Sequence, residues 1–131
     1  MRPAFALRIL AGALLAAAAL PVSAGQPAPL HHVVFCWLKE PGNEAHRAEI
    51  IRVTRELTMI PELRSVAVGT PVPGGGRAVA DDSFDVGVVM TFRNPEELQA
   101  YVQHPEHVRR LRETLQPLCG RVLVYDFIDA P

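Results

Sequence analysis

Apolar and polar positions along this chain follow two different rhythms, and the rhythm changes at turn residues. Over residues 32–38 nearly every position is apolar (Val33, Val34, Phe35, Cys36, Trp37, Leu38). β-Branched and aromatic types dominate, which predicts a strand. Lys39-Glu40-Pro41-Gly42-Asn43 ends it. Over residues 44–58, Ile50, Val53 and Leu57 recur at helical spacing, with Glu49, Arg52, Arg55 and Glu56 on the wet side. Arg52 and Glu56 form an i,i+4 pair, Asn43 suits the N-cap, and Pro61 follows the end. Residues 63–70 are predicted as a second strand, and residues 71–83, with Pro73-Gly74-Gly75-Gly76, as a loop. Residues 84–92 alternate strictly. Phe84, Val86, Val88, Met90 and Phe92 line one face; Asp85, Gly87, Val89 and Thr91 line the other. Asn94-Pro95-Glu96-Glu97 is a helix start, with Asn as N-cap, Pro at N1 and Glu at N3. Leu98, Tyr101 and Val102 should face inward. His104-Pro105 interrupts, and Val108, Leu111 and Leu115 continue at helical spacing up to Pro117. Residues 121–128 read as the last strand.

The order β-α-β-β-α-β is the split βαβ pattern of a ferredoxin-like α+β fold. Helices then cover one face of an antiparallel sheet, and the other face should read as polar. It does not, because the first and last strands are apolar at both parities. A second copy of the sheet is the economical cover, which predicts a two-fold homodimer with a barrel-like core. The alternative is a loop such as 71–83 folding over the sheet.

The N-terminus adds a processing signal. Arg2 and Arg8 precede an unbroken apolar run at 9–20, then Pro21 and the small residues Val22-Ser23-Ala24. This is the layout of a signal peptide cleaved after Ala24. At about 1.5 Å per residue the run spans roughly 18 Å, short of a ~30 Å hydrocarbon core. Residues 25–30 read as a linker and 31–131 as the domain, secreted or periplasmic and free of the membrane after cleavage. Loss of the leader leaves 11 basic against 14 acidic residues, a net charge of −3. That balance argues against a nucleic-acid partner. Arg109, Arg110 and Arg112 read as a solvated helix face. Export permits a Cys36–Cys119 disulfide, but Cys36 in an apolar strand also behaves as a small hydrophobe. Two unpaired thiols are the preferred expectation. The glycine run lacks the Lys-Ser/Thr end of a phosphate loop, and no cofactor is expected.

His32-Val33-Val34-Phe35, Phe84-Asp85-Val86, the block Tyr101-Val102-Gln103-His104-Pro105-Glu106-His107-Val108 and Val122-Leu123-Val124-Tyr125-Asp126-Phe127 together resemble the stress-responsive dimeric α/β-barrel (Dabb) family. The resemblance spans residues 31–128, and its most specific piece is the Tyr-x-x-His-Pro-x-His-Val block. It implies a ferredoxin-like protomer pairing into a barrel. A plant polyketide cyclase of this family implies roles for matching positions: His107 as base, Tyr101 beside it, His32 opening the first strand and Asp126 near the end. Where the cyclase has a histidine in its third strand, this chain has Val86.

The residue chemistry fits those positions. His107 can act as a general base. Tyr101 can hold a carbonyl oxygen by hydrogen bond. Asp126 can orient His32 or His107, as catalytic support or as a structural lock. His32, Asp126 and His104 are candidate ligand-binding residues, and His104 can instead cap the segment opened by Pro105. These side chains match no established metal motif. His31 and His46 read as linker and surface residues, and Trp37 as interface or core. Three functions follow in order: a small-molecule-binding barrel, a cofactor-independent cyclase, lyase or oxygenase using His107, and a structural dimer that recruits other proteins.

Overall fold

A computed structural model of the chain describes residues 27–73 and 77–131. The signal-peptide reading of 1–24 and the glycine run Gly74-Gly75-Gly76 lie outside the described residues. The elements are β1 (Leu30–Leu38), α1 (Glu44–Glu56), β2 (Ser65–Gly69), β3 (Val86–Phe92), α2 (Pro95–Gln103), α3 (Pro105–Arg110) and β4 (Cys119–Ile128). A 3₁₀ turn (Leu57–Met59) follows α1; a π-helical turn (Leu111–Leu115) and a last helical turn (Gln116–Leu118) join α3 to β4. The sheet is antiparallel, in the order β2-β3-β1-β4. This is the ferredoxin-like α+β fold that the hydrophobic pattern predicts.

The helix starts are set locally. Asn43 Oδ1 accepts the His46 N–H at 3.0 Å, and Asn94 Oδ1 accepts the Glu97 N–H at 2.8 Å. Each side chain satisfies an amide that has no partner within its helix. The core lies between helices and sheet. Leu30, Cys36 and Leu38 of β1 and Val86, Val88, Met90 and Phe92 of β3 are buried there with Ile50, Leu57, Ile60 and Tyr101. Val102, expected inside, is exposed.

Asp85 corrects the predicted alternation of the third strand. The residue is buried rather than facing out. Its carboxylate accepts from the Leu38 amide (2.8 Å), from Arg47 Nη2 (3.2 Å) and, more weakly, from the Gly42 amide (3.4 Å). Burial works against the ionised form, but these donors win and hold the carboxyl below the usual range. Gly42 turns the chain at φ 77°, a backbone conformation that other residues rarely adopt. The ladder begins only at Val86, so Phe84 also changes side. It packs on Phe35, ring centroids 4.8 Å apart, on the face away from the helices.

The cysteines also correct the preferred expectation. Cys36 and Cys119 are bridged, with Cα atoms 5.8 Å apart. β4 starts at Cys119, not Arg121, and its register against β1 shifts between Trp37 and Leu38. That shift sets Cys119 opposite Leu38 and within reach of Cys36. His31 is a strand residue rather than a linker. It stacks on Phe127 (4.9 Å) and reaches Asp129 at 2.9 Å.

The outer face is apolar and only partly covered. The 77–84 loop touches it at one end, where Trp37 Nε1 donates to Ser83 Oγ at 3.0 Å and Phe84 meets Phe35. Tyr125 and Phe127 remain 55% and 53% exposed, and Val89 is also exposed. Among the described residues, no helix is long and apolar enough to cross a membrane.

Candidate functional site

β1 and β4 set the first side chain. His32 lies directly across the ladder from Asp126, and its Nδ1 stands 2.6 Å from Asp126 Oδ1. A carboxylate can only accept, so Nδ1 carries a proton. His32 is mostly buried, whereas Asp126 is half-exposed. Asp126 therefore orients the imidazole from behind.

The helical hairpin sets the rest. Tyr101, on the inner side of α2, is fully buried. Its ring centroid lies 4.6 Å from that of His107, 5.0 Å from Phe92 and 6.3 Å from His32. Burial drives the phenol pKa far above its ordinary value, so the hydroxyl stays protonated. α2 stops at His104, which adopts extended backbone before Pro105. His104 Nδ1 accepts the Glu106 N–H at 3.2 Å and caps α3. The new helix brings His107 back under Tyr101. His107 Nδ1 donates to the Val102 carbonyl oxygen at 2.9 Å. Its pKa falls below 6.5 because burial disfavours the charged ring and outweighs the Val102 hydrogen bond, with His32 and His104 adding to the lowering.

These groups line a cavity of about 50 Å³ between helices and sheet. His32, Tyr101 and His107 meet there, against an apolar wall that includes Val34, Leu57 and Val88. Of the other predicted site residues, Asp126 acts through His32, and His104 is a cap that stays off the cavity wall. Val88 and Met90 are the β3 residues that reach the cavity, while Val86 is buried elsewhere in the core. The sequence reading missed Arg110. Its side chain is only 12% exposed, pairs with Glu56 of α1 and lines the cavity. A run of arginines looks solvated until the packing of α1 on α3 is known. Among the described residues, no three His, Cys, Asp or Glu side chains converge as a metal site would require.

The fold and this cavity define a ferredoxin-like α+β domain with a histidine-tyrosine cleft. The chain belongs to the stress responsive A/B barrel (Dabb) domain family, whose model matches residues 30–129. Three solved structures share the fold. A dabb family protein from Mesorhizobium loti has a TM-score of 0.65 at 17% identity, covering 79% of this chain and 99% of its own. A dimeric ferredoxin-like protein of unknown function from Thermobifida fusca has a TM-score of 0.65 at 21% identity, covering 79% and 93%. The hydroxynitrile lyase of Passiflora edulis has a TM-score of 0.68 at 21% identity, covering 79% and 95%. No curated protein matches the chain.

Proposed function

We propose that this protein is exported, pairs through the outer face of its sheet into a homodimeric α/β barrel, and binds a small molecule in the helix–sheet cavity of each protomer. The convergence of His32, Tyr101 and His107 on one apolar cavity carries the reading. A mostly apolar recess with a few convergent polar groups is the usual form of a ligand site. The leader pattern of residues 1–24 and the Cys36–Cys119 bridge both suit an oxidising compartment. The exposed apolar face suits a second copy, and the Thermobifida fusca neighbour is described as dimeric.

Mass spectrometry of small molecules retained by the exported protein tests the binding reading. One compound should co-purify in near-stoichiometric amount with the native chain and be lost from His107→Ala. Recovery of nothing specific, together with no binder in a small-molecule screen, would overturn it. Mature protein should begin at Gly25; an intact leader on exported material would refute cleavage there.

A second reading is a cofactor-independent lyase or cyclase. It is favoured by one feature: an unprotonated His107 Nε2 stands beside a phenol that stays protonated. His107 would take a proton from the substrate while Tyr101 donates a hydrogen bond to the oxygen that gains charge.

A further inference from the structure

The cavity wall contains one charged side chain, and that charge is already committed. Of the lining residues, Arg110 is the only lysine or arginine. Its Nη1 donates to Glu56 Oε2 across the α1–α3 contact. Its Nε is buried, makes no hydrogen bond among the described residues, and lies 3.5 Å from Glu106. That distance suits an ion pair without alignment for a hydrogen bond. Two carboxylates thus flank one guanidinium, and a third, Asp126, stands behind His32. Arg52 pairs with Glu56 Oε1 and Arg109 with Glu106 Oε2, and both arginines are well exposed. Glu56, at 40%, and Asp126, at 46%, are exposed as well, so water screens all of these outer charges, and the mostly buried guanidinium of Arg110 is the charge that bears on the cavity. The Arg110 hydrogen bond keeps the Glu56 carboxyl below its usual range, so Glu56 stays ionised near neutral pH.

An anion entering this space must shed water without gaining a free cation, and burial of an uncompensated charge is costly. A neutral molecule avoids that cost. It can accept from the Tyr101 hydroxyl, which has no partner among the described residues, and donate to the His107 Nε2 lone pair. We infer that Glu56 sets the ligand class: by holding Arg110, it reserves the cavity for a small neutral molecule bearing an acceptor oxygen and a donatable hydrogen, and excludes carboxylates. This rests on the binding role proposed above. Glu56 is a specificity-determining residue that need not touch the ligand.

The isosteric pair acetamide and acetate tests it, read by proton NMR of the His107 and His32 imidazoles at pH 7.5. In the native protein acetamide should shift these signals saturably, with acetate at least about tenfold weaker. In Glu56→Gln, which keeps a hydrogen bond to Arg110 but removes the competing charge, acetate should gain about tenfold or more while acetamide changes little. Thermal melting confirms that the variant is folded. Equal binding of the two probes by native protein, or an unchanged ratio in Glu56→Gln, overturns the selectivity and leaves the binding role standing. Silence from both probes in both proteins counts against the binding role and takes this inference with it.

Discussion

The Nδ1–H of His107 is bonded to the backbone oxygen of Val102, five residues earlier, at 2.9 Å. The bond spans the break at His104-Pro105 and fixes both ring orientation and tautomer. Burial, acting against this bond, favours the neutral ring, and the bond leaves the lone pair on Nε2.

Folding should therefore lose stability in mild acid. The unfolded chain binds a proton at His107 near pH 6.5, whereas the folded pKa lies lower. Between those values the unfolded state holds more protons, so stability rises with pH and the penalty is complete below the folded pKa. Thermal melts from pH 7.5 to 5 should show a falling midpoint, with a shallower fall in His107→Gln. Identical slopes would contradict a depressed His107.

Asp85 should matter more to stability than any predicted site residue. Asp85→Ala strands the Leu38 amide and Arg47, and a buried donor left unpaired costs about 1–3 kcal/mol. A loss of about 3 kcal/mol in urea unfolding is expected. The Asp85 contribution persists above the ordinary carboxyl range and disappears as pH falls through its depressed folded pKa. A loss under about 0.5 kcal/mol, the scale of ordinary surface substitutions, would show that the clamp is dispensable.

The bridge closes a sequence separation of 83 residues, for which the chain-entropy argument gives about 4.5 kcal/mol. Native and denatured protein should both show no free thiols until reductant is added, and then two. Cys36→Ala with Cys119→Ala should lower the melting temperature markedly. Free thiols in unreduced, denatured protein would refute the bridge.

The outer face makes a separate prediction. Phe127→Lys places a charge in the apolar sheet face beside Tyr125, where a like-charged copy would oppose it. Native mature protein should elute at twice its chain mass and the variant at one chain mass. A native monomer at micromolar concentration would remove the barrel from the proposal.

Local signals survived the passage from sequence to structure. Asn43 and Asn94 cap the helices they precede, and β3 turns its even-numbered residues from Val86 to Phe92 to the core, because caps and alternation depend only on near neighbours. His32, Tyr101 and His107, singled out through the family resemblance, line one cavity. What could not be read depends on distant registration. The Cys36–Cys119 bridge needs a register shift between β1 and β4. Asp85 turns inward because Leu38, Gly42 and Arg47 offer it donors from another part of the chain. Arg110 is buried because Glu56, 54 positions earlier, meets it across two helices.

The π-helical turn at Leu111–Leu115 carries a consequence for tuning this cleft. Its wider winding accommodates one residue more than a regular helix would over the same advance, and Leu111 and Leu115 at its two ends line the cavity. Deleting Arg112 should let this turn rewind as regular α-helix, redrawing the cavity wall between Leu111 and Leu115 while the chain into β4 keeps its place. The shape of the recess is thus adjustable by chain length at a single place, with every imidazole left untouched.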